Sequence, residues 1–154
     1  MNYKEKPVTF ASNGEKADLD RLVLIWANKY PGIPENVDLI KFEYFSAKTV
    51  GMALSSAQGA VITKKYVCGG YQAEYSFEIH YQIEPPGTSD DKRLKAVERL
   101  NEFADWACNQ RPDIGEGRRT LRVETTALAS YLGATSDRYE DYMIPLKLIY
   151  EVNT

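Results

Sequence analysis

The chain has 154 residues, 44% hydrophobic and 27% charged, with 19 basic and 22 acidic side chains and a formal net charge of -3. That size and balance fit a single domain over residues 1–154, burying about two thirds of its unfolded surface. An acidic chain lacks the sequence-independent phosphate grip of a nucleic-acid binder, and neither a membrane-spanning apolar run of about 18 residues nor a signal peptide is present. A soluble protein made in the cytoplasm, with no specific nucleic acid and no membrane as partner, is therefore expected.

Residues 1–11 have no sustained period and include Pro7, so they read as a flexible arm. A helix is predicted from Asn13 or Gly14 to Tyr30, where Leu19, Leu22, Val23 and Trp26 recur at spacings of three and four and Pro31 stops the run. PGIPEN is a turn. Residues 37–46 alternate, with Ile40, Phe42 and Tyr44 against Lys41 and Glu43, and predict a strand. The small residues of 47–59, among them Gly51, Ser55, Ser56 and Gly59, predict a loop or an irregular strand start.

Residues 60–68 read AVITKKYVC, a β-branched and aromatic run, and Gly69-Gly70 then separates it from the longest pattern in the chain. Two residues able to take positive φ between two strand patterns predict a hairpin. Residues 71–84, YQAEYSFEIHYQIE, alternate without interruption. Such a strand runs about 45 Å with one wet face, long enough to sit inside a sheet and project past it. Its Tyr, Phe and Ile side must be covered, first of all by the core.

After PPGTS, Thr88 or Ser89 caps a helix that carries Asp90 and Asp91 in its first turn and runs to about Asn109. Its apolar stripe is Leu94, Val97, Leu100, Phe103, Ala104 and Ala107, with Lys92, Arg93, Lys95, Glu98, Arg99 and Glu102 toward water. NQRPDIGEGRR follows, the most basic local stretch, counting Arg111, Arg118, Arg119 and Arg122 into the next strand over residues 120–128. In that strand Leu121, Val123 and Thr125 point inward. ASYLGATSDRYED is a mixed connection, and residues 142–152 form the last strand, where Pro145 marks an edge or a bulge. The sum is an α+β domain of two layers: a mainly antiparallel sheet with a long β-hairpin, packed by two helices on one face.

Chemistry is harder to find. The chain has no G-x-S-x-G, Walker loop, G-x-G-x-x-G, H-E-x-x-H or C-x-x-C. His80, the single histidine, lies on the polar side of its strand between Glu78 and Gln82, where an imidazole needs no function. Asp90-Asp91 read as helix N-terminal charge and Glu140-Asp141 as loop. Gly115-Glu116-Gly117 precedes a strand and offers no helix N-terminus to a phosphate. Cys68 and Cys108 read as two reduced, half-buried thiols. No catalytic, cofactor-binding or metal residue is assigned and no enzyme is expected. The eleven tyrosines suit sheet faces and subunit contacts.

The blocks WANKYPGIP, CGGYQAEYSFEIHYQI, LKAVERLNEFADW and SDRYEDYMIPLKLIYEV, in that order, resemble the tail terminator or tail completion proteins of long-tailed bacteriophages and prophages. The resemblance covers most of the chain and rests on element order and texture, because the family has no catalytic motif to match. It implies a homo-oligomer, a hexameric ring that stops growth of the tail tube and joins it to the head connector. The tail tube protein and the head-tail connector protein are then the partners, and the virion neck is the location after synthesis in the bacterial host. With it go two assignments: a subunit interface at Gly69, Gly70 and Tyr71, and a partner-docking loop at Arg111, Arg118 and Arg119. Other readings are another connector or minor tail protein, a monomeric ligand-binding α+β domain, or an enzyme whose site has no familiar motif.

Overall fold

The computed structural model describes residues 8–43 and 49–153. Its elements in chain order are β1 (Thr9–Phe10), α1 (Asn13–Ala27), β2 (Ile40–Phe42), β3 (Gly51–Ser55), β4 (Ala60–Lys65), β5 (Tyr71–Ile83), α2 (Asp90–Cys108), β6 (Arg118–Thr125), β7 (Ser130–Ala134) and β8 (Glu140–Val152). Two 13-residue strands, β5 and β8, pair antiparallel from Tyr71↔Val152 to Ile83↔Glu140 without a break. Shorter strands share their outer sides. Along β5, β4 takes the first half and β3 the second; along β8, β6 and β7 divide the length in the same way. β1 extends the sheet from β4 and β2 extends it from β3, the latter in parallel. The expected α+β fold, a mainly antiparallel sheet packed by helices, is what forms.

Alternation decides which side the helices cover. Ala73, Tyr75, Phe77, Ile79, Tyr81 and Ile83 of β5 are buried, and the register sets them beside Tyr142, Ile144, Leu146, Leu148 and Tyr150 of β8. Ser12 caps α1 by accepting from the Glu15 backbone N–H, and Ser89 does the same for α2 at Lys92. α1 buries Leu19, Val23, Trp26 and Ala27, while α2 buries Ala96, Leu100, Phe103, Ala104 and Ala107. Trp26 joins the layers: it stacks on Trp106 at 5.2 Å and meets Phe77 and Phe103 edge-on at 6.3 and 6.4 Å. Burial of each such ring contributes on the order of 2–3 kcal/mol.

Carboxylates on α1 reach down to the sheet. Glu15 accepts the hydroxyls of Tyr71 and Tyr150, and Asp20 accepts those of Tyr75 and Ser56, both at 2.6 Å. Burial, and then these hydrogen bonds, push the Tyr75 and Tyr150 phenols upward and that of Tyr71 up to about 12, so the rings donate at any physiological pH. The tyrosine excess thus has an internal use. At the far end of α1, the Asn28 side chain donates to the Ile40 carbonyl at 3.0 Å and accepts from its N–H at 2.8 Å, tying the helix to β2.

Several boundaries and roles differ from expectation. β5 does not project beyond the sheet, because β8 matches it residue for residue and β4 with β3 cover its other side. Of the two readings of residues 47–59, a loop or an irregular strand start, residues 51–55 take the strand and form β3, with Met52, Ala53 and Leu54 buried; alanine and serine give little strand signal, and neighbours on both sides supply the pairing. The connection after residue 128 contains β7, an edge strand interrupted by an irregularity between Tyr131 and Gly133. Pro145 is at neither an edge nor a bulge. It lies in central β8, and its carbonyl, accepting from Thr126, faces the gap between β6 and β7, where its missing N–H has no partner to lose.

Glu140 and Asp141 belong to β8 rather than to a loop, and Glu140 is buried between Arg93, 3.0 Å away, and the Tyr142 hydroxyl. Leu94, expected in the core stripe, is exposed and Ala96 takes its place. Residues 1–7 of the predicted arm, residues 44–46 of the second predicted strand and residues 47–48 of the predicted loop fall outside the described residues; Thr9 and Phe10 pair with β4.

Asn28→Ala removes three side-chain hydrogen bonds, two of them to Ile40, and leaves a half-buried backbone N–H and C=O unpaired. The expected loss is about 2 kcal/mol, read as a lower urea midpoint at unchanged m-value.

Candidate functional site

With the helices on one face, the other face of the sheet carries no layer among the described residues. It carries Glu74, Ser76, Glu78 and His80 from β5 beside Lys147, Pro145, Met143 and Asp141 from β8, while Gln82 is buried where it donates to the Thr49 carbonyl. Two adjoining depressions lie on it. One, of about 420 Å³, is bounded by Glu43, Ala53, Ser55, His80 and Asp141. The other, of about 370 Å³, lies over the middle of the sheet, where β4 gives way to β3 and β6 to β7; Gln58, Val61, Thr126 and Pro145 are among its walls.

His80 is not the open, idle imidazole that its alternation predicts. Only 15% of its side chain is exposed, and it sits between two carboxylates, with Nε2 3.0 Å from Glu78 and Nδ1 3.3 Å from Asp141. Pairing of β3 and β8 on the two sides of β5 produces this, since Ala53 and Met143 flank His80 in register and Asp141 lies two residues from Met143 along β8. Burial alone would lower the His80 pKa, but Asp141 and then Glu78 favour the imidazolium and the net shift is upward. The two carboxylates thus favour the protonated ring on the uncovered face. No group of three or more His, Cys, Asp or Glu side chains among the described residues is arranged to hold a metal ion, and no helix among them is long and apolar enough to cross a membrane.

The two assigned contact regions meet at one end of the sheet. Gly69 and Gly70 take φ of 97° and 80° in the β4–β5 turn, as a tight connection requires, and a Cβ on Gly70 would run into the Val152 carbonyl oxygen. Tyr71 is committed to Glu15. The outward-facing part of the turn is Val67 and Cys68, both exposed, a feature that the glycine signal located without naming its tip. Cys108 is half-buried and, like Cys68, free. Of the arginines, Arg118 reaches Asp18 of α1 at 3.2 Å, Arg119 pairs with Glu151, and Arg122 pairs with Glu124 at 3.2 Å; Arg111 contacts only the neighbouring Gln110 carbonyl. The basic stretch is thus largely matched inside the molecule, and only Arg111 projects without a carboxylate among the described residues.

No protein-family model and no curated protein matches the chain. Among solved structures, a chain from "Virion of native gene transfer agent (GTA) particle" superposes with a TM-score of 0.63 at 10% identity, covering 91% of this chain and 99% of that one. The shared property at that identity is the fold. A second solved chain, 17% identical over 93% of this chain and 96% of its own, reaches a TM-score of only 0.41.

Because the His80 pKa is raised on folding, its contribution to stability is full below its unfolded value of about 6.5 and is lost as pH rises through the folded value. Urea midpoints of the wild type and of His80→Gln, compared from pH 6 to pH 9, should differ most at pH 6 and converge as pH rises. Separately, Gly70→Ala should destabilise by about 1–3 kcal/mol, whereas Val67→Asp should stay within about 0.5 kcal/mol of the wild type.

Proposed function

We propose that this chain is a structural component of a virion and acts there as a tail terminator. Six copies close into a ring on the end of the tail tube, stop its polymerisation and present a surface to the head connector. The observation that carries the reading is the end-to-end likeness of the fold to a virion chain, which spans 99% of that chain. The block order that resembles tail terminators adds to it independently.

The topology supports assembly. Among the described residues β1 and β2 each pair with a single neighbour on one side of the sheet, and β6 and β7 pair only with β8 on the other, so the sheet they form is open at both sides. Val8, Phe10 and Leu39 are exposed toward one side and Leu128, Tyr131 and Leu132 toward the other. Unlike surfaces on opposite sides of a protomer make head-to-tail contacts, and such contacts close into rings when the rotation allows. The reading gives the chain no catalytic group, cofactor or metal, and no sequence-specific contact with the DNA that passes the ring.

Light scattering across a concentration series, with negative-stain images and with the tail tube protein added in a parallel sample, tests it. A ring of about six subunit masses with a central hole is expected. A monomer under every condition, with no binding to tube ends, overturns it. In the same assay a folded, monomeric Val67→Asp would put the β4–β5 tip in the interface, and an intact ring would move the interface away from Gly69, Gly70 and Tyr71.

A further inference from the structure

The charges on α2 run against the helix that carries them. Its first turn is favourable, with Asp90 and Asp91, but Lys92, Arg93 and Lys95 follow directly and its last turn holds no basic residue. Glu98 and Glu102 lie in the middle of the helix and Asp105 in its last turn, where the macrodipole disfavours negative charge. All three are exposed and none forms an ion pair among the described residues. At spacings of four and three they form one stripe on the side of α2 facing away from Leu100, Phe103 and Ala107, so solvent or another molecule must receive them.

A complementary surface exists on the same helix. Lys92, Lys95 and Arg99, at spacings of three and four, line a cleft of about 160 Å³ between α2 and Asn36, floored by Tyr81, Ile83 and Ala96, with Glu84 the one acid on its rim. Arg99 is not loose: it donates to the Tyr81 hydroxyl at 2.7 Å, and Tyr81 is itself buried, which holds the guanidinium at the cleft. Neither Lys92 nor Arg99 meets a carboxylate among the described residues, and Lys95 has only the exposed Asp91 at 3.2 Å, a pair of little energetic worth. Three cations against Glu84 and the exposed Asp91, around an apolar floor, leave a positive balance that fits an acidic stripe.

We infer that the Lys92–Lys95–Arg99 cleft of one subunit receives the Glu98–Glu102–Asp105 stripe of the next copy of this chain. The inference rests on the ring reading and deepens it by naming the contact. The two surfaces point in different directions from one helix, and in the ring read above each subunit gives its cleft to one neighbour and its stripe to the other, so the contact is head-to-tail and propagates around the ring. Charge in the interface also fixes which surfaces meet, because cleft-to-cleft and stripe-to-stripe encounters are repulsive.

Two variants test this: Lys92→Glu with Arg99→Glu, which makes both surfaces acidic, and Glu98→Lys with Glu102→Lys, which makes both basic. Circular dichroism and urea unfolding establish that each is folded; the second alters only exposed side chains. Under conditions in which the wild type forms rings, each variant alone should scatter as a monomer. An equimolar mixture should recover the ring mass, since acidic clefts then meet basic stripes and the reverse at alternating positions. Wild-type rings together with a variant that still assembles alone, or with a mixture that stays monomeric, overturn the inference and leave the ring standing. A wild type that never assembles overturns both.

Discussion

The uninterrupted pairing of β5 with β8 is the constraint on which the rest of the molecule depends. Thirteen consecutive partners fix a register in which every inward residue of one strand lies beside an inward residue of the other, so the two strands together define one apolar face and one polar face. A slip by one residue would send Tyr75, Phe77 and Ile79 to the polar side and Glu74 and Glu78 into the core. The short strands add little pattern of their own. They are recruited along the outer sides of the central pair, two on each, and extended by β1 and β2.

How the helices are held follows from the same face. Apolar burial brings α1 and α2 onto it, but burial is non-directional and does not select an orientation. Orientation comes from polar groups that must find partners in a dry layer: Glu15 with Tyr71 and Tyr150, Asp20 with Tyr75 and Ser56, Glu140 with Arg93 and Tyr142. Each tyrosine lays its ring in the core and carries a hydroxyl to the edge of a helix. The abundance of tyrosine, which in composition alone suggests contact surfaces, is thereby spent largely within the subunit. That shifts attention for assembly to features the fold leaves unmatched, the open sheet sides, the Val67–Cys68 tip and the charged faces of α2.

Long regular elements were legible because their signals are local. Both central strands, both helices, a cap at Thr88 or Ser89 and the Gly69-Gly70 turn follow from alternation, helical spacing and residue placement, and the structure selects Ser89. β3 and β7 were not clearly legible: GMALS has no β-branched or aromatic residue and SYLGA has only Tyr131, and they are strands because β5 and β8 offer them an edge. The same non-local cause hid the environment of His80. Its alternation placed it correctly on the polar side, but Asp141 comes from a strand 61 residues away and converts a surface imidazole into a half-enclosed, carboxylate-bridged one. The arginine stretch was located correctly too, yet its partners Asp18 and Glu151 come from distant elements.

By itself, then, the amino-acid order determined the class of fold, the faces of its long elements and the order of blocks that resembles tail terminators, because each depends on periodicity within a dozen or so residues. Tertiary structure alone decided which strands lie beside which, why Pro145 is tolerated in the middle of a sheet, which arginines are neutralised and which charges of α2 remain open. Those properties are sums over partners far apart in sequence, and a charge or an unpaired N–H acquires its meaning only when the group opposite it is known.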